Sequence, residues 1–178
     1  MTSLKRFAGI SAALTLAAVG TAAPSSAARP AQAGPPPASA CTVVVGKAPE
    51  GEMSPVRSRI CDTDPASPRL RPAAEDTLLM ELNDNVDNNP PSVTRIYGEG
   101  GPCDFIGYSF AITGYWANRV SAFNTWNDCN FVTAYDLPDL TGDRERWSGE
   151  TNPCVCVSVD WVGPFINDRI EAFQIWNG

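Results

Sequence analysis

Short runs of β-branched and aromatic residues alternate with turns rich in Asn, Asp, Gly and Pro from residue 76 to the end of the chain. This spacing predicts strands of a few residues each, about four in each half of the region. No long segment carries apolar residues at positions i, i+3, i+4 and i+7, so we expect helices only as short turns. The pattern therefore predicts an all-β fold.

The same region contains an internal repeat. Residues 116–126 and 166–176 align at an offset of 50, with Arg, Ala, Phe and Trp at matching positions. In the same order, residues 98–103 align with 149–154 at an offset of 51, and residues 79–84 align with 131–136 at an offset of 52. Three blocks with offsets that drift by single residues indicate a duplication with small loop deletions.

We place copy one at about residues 78–127 and copy two at about residues 129–177 of a domain that covers residues 76–178. Two units of this size are expected to fold as tandem Greek-key motifs, which pack as a sandwich around one shared core. Aligned residues on aligned strands face the same side of the sheet. We therefore expect Phe123 and Phe173 to be buried in equivalent positions, and Trp126 and Trp176 to be equivalent as well.

The chain begins with the features of a secretory signal. Lys5 and Arg6 precede a small and apolar run from Phe7 to Ala23, and Ala/Ser-rich sequence follows. Interruptions by Gly, Ser and Thr leave this run short of the roughly 20 strongly apolar residues that a spanning helix needs. We expect residues 1–33 to be removed as a signal peptide, with the cleavage site between residues 28 and 40. The protein would then be secreted, with no membrane segment after cleavage.

Residues 34–75 separate the signal from the repeats. Their first part is rich in Pro and Ala and is expected to be a linker. Cys41 and Cys61 bracket the rest, which contains one strand-like run at residues 42–45. We expect a small appendage with one strand, tied by a Cys41–Cys61 disulfide.

The net charge and the number of cysteines restrict the classes of partner and the cellular compartment that we expect for this protein. With Lys5, Arg6 and Arg29 removed, ten basic residues face 20 acidic residues, a net charge of about −10. Phosphate backbones would be repelled, so nucleic acid is not an expected partner. In an oxidising compartment six cysteines favour three disulfides, for which fifteen pairings are open. The six are Cys41, Cys61, Cys103, Cys129, Cys154 and Cys156.

The chain contains no histidine. Catalysis by Ser-His-Asp or Cys-His groups and zinc sites with imidazole ligands are therefore excluded. Acidic residues are plentiful, but no spacing selects two of them as a glycosidase pair. We expect no enzymatic activity and no catalytic residues. Among the tryptophans, Trp147 and Trp161 are the better candidates for an exposed surface, because Trp126 and Trp176 occupy equivalent repeat positions.

Two short motifs carry a resemblance to a known family. Thr133-Ala134-Tyr135-Asp136 is similar to a strand that ends in Tyr and an acidic turn, and residues 167–172 and 117–122 are similar to a later loop of Asn, Asp and Ser/Thr residues. On these motifs and their recurrence, residues 78–177 resemble the βγ-crystallin superfamily. The resemblance is to its secreted bacterial branch, which includes metalloproteinase-inhibitor-like, killer-toxin-like and actinobacterial peptidase-inhibitor-like proteins.

The resemblance implies calcium binding by these loops through side-chain oxygens and backbone carbonyls. The implied ligands are Asn118, Ser121, Asn167, Asp168 and Glu171. Three features depart from the family pattern: Ala117 replaces the first Asn/Asp of copy one, Glu171 replaces the Ser/Thr of copy two, and both sixth positions are Ala. Hence we expect either no cofactor or a weakly held Ca²⁺; without calcium, the Asn and Asp residues form turns before the strands.

The sequence leads to two main functional hypotheses, and a third, a small secreted enzyme, is disfavoured by the missing histidine and the unselected acidic residues. The first is a secreted, monomeric, non-enzymatic binding protein, a peptidase inhibitor by resemblance, whose partner is an extracellular protease. The alternative is a structural or cell-wall-associated extracellular module that binds calcium weakly. The sequence alone does not identify the target or the loop that would bind it.

Overall fold

The computed structural model describes residues 40–88, 92–149 and 156–178. The predicted signal peptide and most of the predicted linker lie outside these residues. The described chain forms ten strands and two short 3-10 helices. The strands are β1 (Ala40–Val45), β2 (Val56–Asp62), β3 (Thr77–Asn83), β4 (Val93–Gly98), β5 (Tyr108–Ala111), β6 (Ala122–Thr125), β7 (Phe131–Tyr135), β8 (Arg144–Ser148), β9 (Ser158–Val159) and β10 (Ala172–Trp176). The helices are η1 (Pro68–Leu70) and η2 (Gly114–Trp116).

Two sheets make up the sandwich. The first has the strand order β2-β1-β4-β3-β6-β9 and the second has the order β5-β10-β7-β8. Copy one contributes β3 to β6, and copy two contributes β7 to β10. The third strand of each copy lies in the sheet of the other copy, because β5 pairs with β10 and β9 pairs with β6. The predicted all-β fold with two tandem Greek keys is confirmed.

The strand register reproduces the sequence repeat. Leu82 of β3 pairs with Phe123 of β6, and Ala134 of β7 pairs with Phe173 of β10. These pairs are related by the offsets of 52 and 50 residues that the sequence shows. The duplication is therefore a repeat of structure as well as of sequence.

One hydrophobic core lies between the sheets. Phe123 and Phe173 are both 0% exposed, and their rings meet edge to face with centroids 5.6 Å apart. Trp126 and Trp176 are both half-buried at their equivalent strand ends. The predicted equivalence of both pairs is confirmed. Trp147 also packs against this core, with its ring 5.1 Å from that of Phe123, so the prediction of an exposed Trp147 is wrong.

The segment before the repeats differs from the predicted appendage. It contains two strands instead of one, and they extend the first sheet. β1 is antiparallel to β2 and parallel to β4, which places it inside the sheet. Its Cys41, Val43 and Val45 belong to the main core. We call β1 and β2 the N-terminal hairpin.

Two disulfides occur in the described residues. Cys41–Cys61, the predicted bridge, joins directly paired residues of β1 and β2. Cys103–Cys129 joins the loop after β4 to the segment before β7. Cys156 is buried, and Cys154 lies outside the described residues, so the prediction of a third bridge remains untested. The described part of the chain contains no helix with the length and hydropathy needed to span a bilayer.

Candidate functional site

Four connections converge at one end of the sandwich. Asn83 at the end of β3 pairs with the first residues of β4 and β6, and Tyr135 at the end of β7 pairs with the first residues of β8 and β10. The β3–β4, β5–β6, β7–β8 and β9–β10 connections therefore meet there. We call this surface the loop end: the described parts of residues 84–92, with residues 112–121, 136–143 and 160–171. All five predicted calcium ligands lie on it.

Hydrogen bonds between the two copies hold two of these loops together. The side-chain amide of Asn118 in copy one donates to Oε1 of Glu171 in copy two over 2.7 Å. The backbone N–H of Asn118 also donates to the carbonyl of Ile170, over 3.1 Å. Asn118 adopts a positive φ of 59°, as does its repeat equivalent Asp168, with a φ of 55°. The structure thus brings Asn118 and Glu171 together, but as partners of each other.

The other three predicted ligands have different surroundings. Ser121 is buried, its N–H donates to the carbonyl of Asn83, and its carbonyl accepts from Val162. The amide of Asn167 donates to the exposed carboxylate of Asp168 over 2.8 Å. Oδ1 of Asn167 is buried and has no hydrogen-bond partner within the described residues.

Calcium binding by these loops stays a prediction. Among residues 40–88, 92–149 and 156–178, no group of three or more Asp, Glu, Cys or His residues is placed to hold a metal ion. The oxygen atoms closest to a ligand role are Oδ1 of Asn167 and the carboxylate of Asp168. These three side-chain oxygens fall short of the six to eight oxygen ligands that Ca²⁺ prefers, so backbone carbonyls and water would have to supply the rest.

Each copy places an arginine between an acidic residue and an aromatic ring. In copy two, Nη2 of Arg169 lies 2.6 Å from Asp136 and 2.8 Å from Asp143, and its guanidinium lies 5.7 Å from the ring of Phe165. Hydrogen bonds to Asp143 and Asp136 raise the pKa of Arg169 above its usual value. This cluster fixes the β7–β8 connection to the β9–β10 connection.

Copy one contains the same arrangement with looser contacts. Nη2 of Arg119 lies 3.6 Å from Asp84, and its guanidinium lies 4.4 Å from the ring of Tyr115. The hydroxyl of Tyr115 donates to Asp84 over 3.3 Å. Sequence reasoning did not identify either cluster. The available signal was the repeat itself, because Arg119 aligns with Arg169 and Asp84 aligns with Asp136.

A third set of hydrogen bonds joins the β3–β4 and β9–β10 connections. The N–H of Asp87 donates to the carbonyl of Asp160 over 2.7 Å. The side-chain amide of Asn88 donates to the carboxylate of Asp160 over 3.0 Å. Every connection at the loop end therefore bonds to at least one other connection.

Four large apolar side chains remain exposed on this braced surface: Val86 (46%), Leu137 (45%), Trp161 (52%) and Phe165 (50%). The expected exposure of Trp161 is confirmed. Their surroundings are acidic, since the described part of the loop end carries eight carboxylates, two arginines and no lysine. The carboxylates are those of Asp84, Asp87, Asp136, Asp139, Asp143, Asp160, Asp168 and Glu171.

Comparison with known proteins yields structural neighbours but no sequence relatives. No family model matches the chain, and no curated protein matches it. A double mutant of a βγ-crystallin domain from Clostridium beijerinckii is 11% identical and covers 56% of this chain and 98% of its own, with a TM-score of 0.39. The unmutated domain from the same organism is 10% identical, covering 55% of this chain and 97% of its own, also with a TM-score of 0.39.

A third neighbour is a double mutant of clostrillin in complex with nickel. It is 10% identical, covers 57% of this chain and all of its own, and has a TM-score of 0.39. A likeness at this level of identity and TM-score carries no argument about ligand or activity.

Proposed function

We propose that this protein is a secreted, non-enzymatic, monomeric binding protein whose loop end binds an extracellular protease and inhibits it. The observation that carries the proposal is that Trp161 and Phe165 are half-exposed on the β9–β10 connection, which bonds to the neighbouring connections. Exposed aromatic side chains supply most of the binding energy in many protein interfaces.

Rigidity supports this use of the surface. Ordering loops on binding costs free energy, and the bonds from Arg169 to Asp136 and from Asn88 to Asp160 order them before a partner arrives. The surplus of carboxylates around the aromatic side chains favours a partner with a basic rim, because opposite charges speed association and disfavour the wrong partners.

Secretion and the lack of catalysis rest on separate observations. The N-terminal sequence has the composition of an export signal, and the Cys41–Cys61 and Cys103–Cys129 disulfides suit an oxidising compartment. The whole chain lacks histidine, and the carboxylates of Asp136 and Asp143 are both held in ion pairs with Arg169. These features favour binding over catalysis.

The test is residual protease activity after incubation with the purified protein, over a panel of extracellular metallo- and serine proteases. We expect at least one protease to be inhibited, and Trp161→Ala or Phe165→Ala to weaken inhibition about tenfold or more. Phe105→Ala is the matched control, because Phe105 is 78% exposed but lies on the β4–β5 connection at the opposite end. No inhibition of any protease, or equal loss in the control, would count against the proposal.

The alternative is a structural or cell-wall-associated module that binds calcium weakly. The observation in its favour is Oδ1 of Asn167, a buried acceptor without a partner in the described residues, next to the exposed carboxylate of Asp168. A cation there would satisfy both groups. A rise in melting temperature with calcium that Asp168→Ala abolishes, together with no inhibition of any protease, would favour this alternative.

A further inference from the structure

A cavity lies between the N-terminal hairpin and the segment from β5 to η2. Its volume is about 200 Å³, and its walls are mainly apolar: Val43, Val45, Ile96, Phe110, Ile112 and Trp116. We call it the hairpin cavity. An engineered apolar cavity of about 150 Å³ in another protein stays dry and binds benzene, so a volume of this size suits one aromatic ring with a short substituent.

Two polar groups in the walls lack partners. Nε1 of Trp116 and Oγ1 of Thr94 are buried and form no hydrogen bond with any described residue. Both residues are only 3% exposed. Buried donors are almost always paired with protein or ordered water, and an apolar cavity holds water poorly. An oxygen acceptor on a bound molecule would supply what these donors lack.

A single guanidinium stands in the cavity wall next to solvent. Nη1 of Arg59, an exposed residue of β2, donates to the carbonyl of Thr113 over 3.0 Å and to the hydroxyl of the same residue. Arg59 forms no ion pair within the described residues. Its neighbour Arg57, two positions earlier on the same strand, is paired with Glu99 over 2.8 Å and does not line the cavity. Arg59 therefore has donors available for an anion at the cavity.

We propose that the hairpin cavity binds a small aromatic carboxylic acid, with its ring against the apolar walls and its carboxylate at Arg59. The apolar walls select the ring, and the arginine selects an acid over an amine, since a guanidinium binds carboxylates with charge-assisted hydrogen bonds. The carboxylate oxygens are also acceptors for Trp116 and Thr94. This binding site is additional to protease binding by Trp161 and Phe165 and does not depend on it.

The probe is 4-fluorophenylacetate, observed by fluorine NMR in the presence of the purified protein. We expect its signal to broaden, and unlabelled phenylacetate to reverse the broadening. The matching amine, 4-fluorophenethylamine, has the same ring with a positive charge and is expected to bind at least about tenfold more weakly. Absence of broadening at millimolar probe, or equal broadening by acid and amine, would overturn the proposal.

Variants test whether the acid binds in the hairpin cavity. Arg59→Gln is expected to weaken binding of the acid about tenfold, whereas Arg57→Gln leaves it unchanged. Val43→Phe adds side-chain volume at a wall residue whose side chain belongs to the core, and it is expected to abolish binding of the ring. Thermal melting establishes whether each variant is folded; if Val43→Phe is not folded, the affinity of Arg59→Gln tests the proposal. Equal affinity of Arg59→Gln and the parent would exclude the hairpin cavity as the site.

Discussion

The two Greek-key copies share a core but differ at their loops. Phe123 and Phe173 occupy matching buried positions on matching strands. At the loop end, Arg169 of copy two binds two carboxylates at 2.6 and 2.8 Å, whereas Arg119 of copy one lies 3.6 Å from one. The aromatic ring beside each arginine differs too: Tyr115 in copy one is half-buried, whereas Phe165 in copy two is exposed.

The copies also differ at their sheet edges. In copy one, β4 pairs with β1 of the N-terminal hairpin, so the edge of its sheet is covered. In copy two, β8 is the outermost strand and exposes Arg144 and Arg146. The hairpin thus makes one sheet six-stranded and forms the hairpin cavity on one side only. The comparison shows that the repeat constrains the interior, while the proposed binding surfaces arise where the copies have diverged.

The test with the largest expected effect truncates one core side chain in each copy. Phe173→Ala and Phe123→Ala should each lower the free energy of unfolding by about 3 to 5 kcal/mol, through lost burial and an unfilled cavity. Urea unfolding measures both. Because the two rings contact each other, the double variant should cost less than the two single losses added together. A negligible loss in either variant would break the equivalence of the copies.

The second test weakens the N-terminal hairpin, which pairs with copy one but has no counterpart on copy two. Replacing both Cys41 and Cys61 by Ser deletes a bridge with a sequence separation of 20 residues, which should cost about 3 kcal/mol. Backbone amide exchange should rise in β2 before it rises in β7, β8 and β10. If exchange rises equally in both sheets, the hairpin is as central to folding as the repeats are.

The repeats and the N-terminal hairpin differ in how well the sequence predicts their structure. Identical Arg, Ala, Phe and Trp residues in both copies were sufficient to predict that Phe123 and Phe173 are buried in equivalent positions, because a shift of one residue would turn a core side chain outward. The hairpin was harder to predict. β2 is an exposed edge strand whose Arg57 and Arg59 hide any strand pattern, and the parallel partner of β1 lies about 50 residues away with no local signal.

The third test compares the arginines. Arg169→Met should lower the free energy of unfolding slightly, and Arg119→Met should lower it less, since exposed ion pairs contribute little and only Arg169 bridges two carboxylates. Thermal melting at low and high salt measures the difference. The Arg169 effect should shrink in high salt, because mobile ions screen exposed charges. Equal effects would mean that the tighter geometry of copy two adds no stability.

The smallest expected effect is that of calcium. One millimolar Ca²⁺ should raise the melting temperature only slightly, because Asn118 and Glu171 already bind each other and Ser121 is buried. A gain of about 3 kcal/mol would correspond to a dissociation constant near 10 µM and would contradict this expectation. Asp168→Ala and Asn118→Ala would then show which copy holds the ion.

Only part of the candidate site could be predicted from the sequence, because its contacts join residues that lie far apart in the chain. The motif identified loop residues such as Asn118 and Asp168, and both do adopt the positive φ expected of Asn and Asp in turns. The motif could not show that Asn118 would bind Glu171, which lies 53 residues away in the other copy. The bonds of Arg169 to residues 26 and 33 positions earlier are likewise set by the fold and by no local pattern.

The exchange of third strands between the sheets determines what a single proteolytic cut would do to the protein. A cut between Asn127 and Asp128, in the connection between the copies, would not release two halves. β5 of the first fragment would still lie in the second sheet, and β9 of the second fragment would still lie in the first. Cys103–Cys129 spans the cut and would hold the fragments covalently. A nicked molecule would therefore keep both its sheets and its loop end.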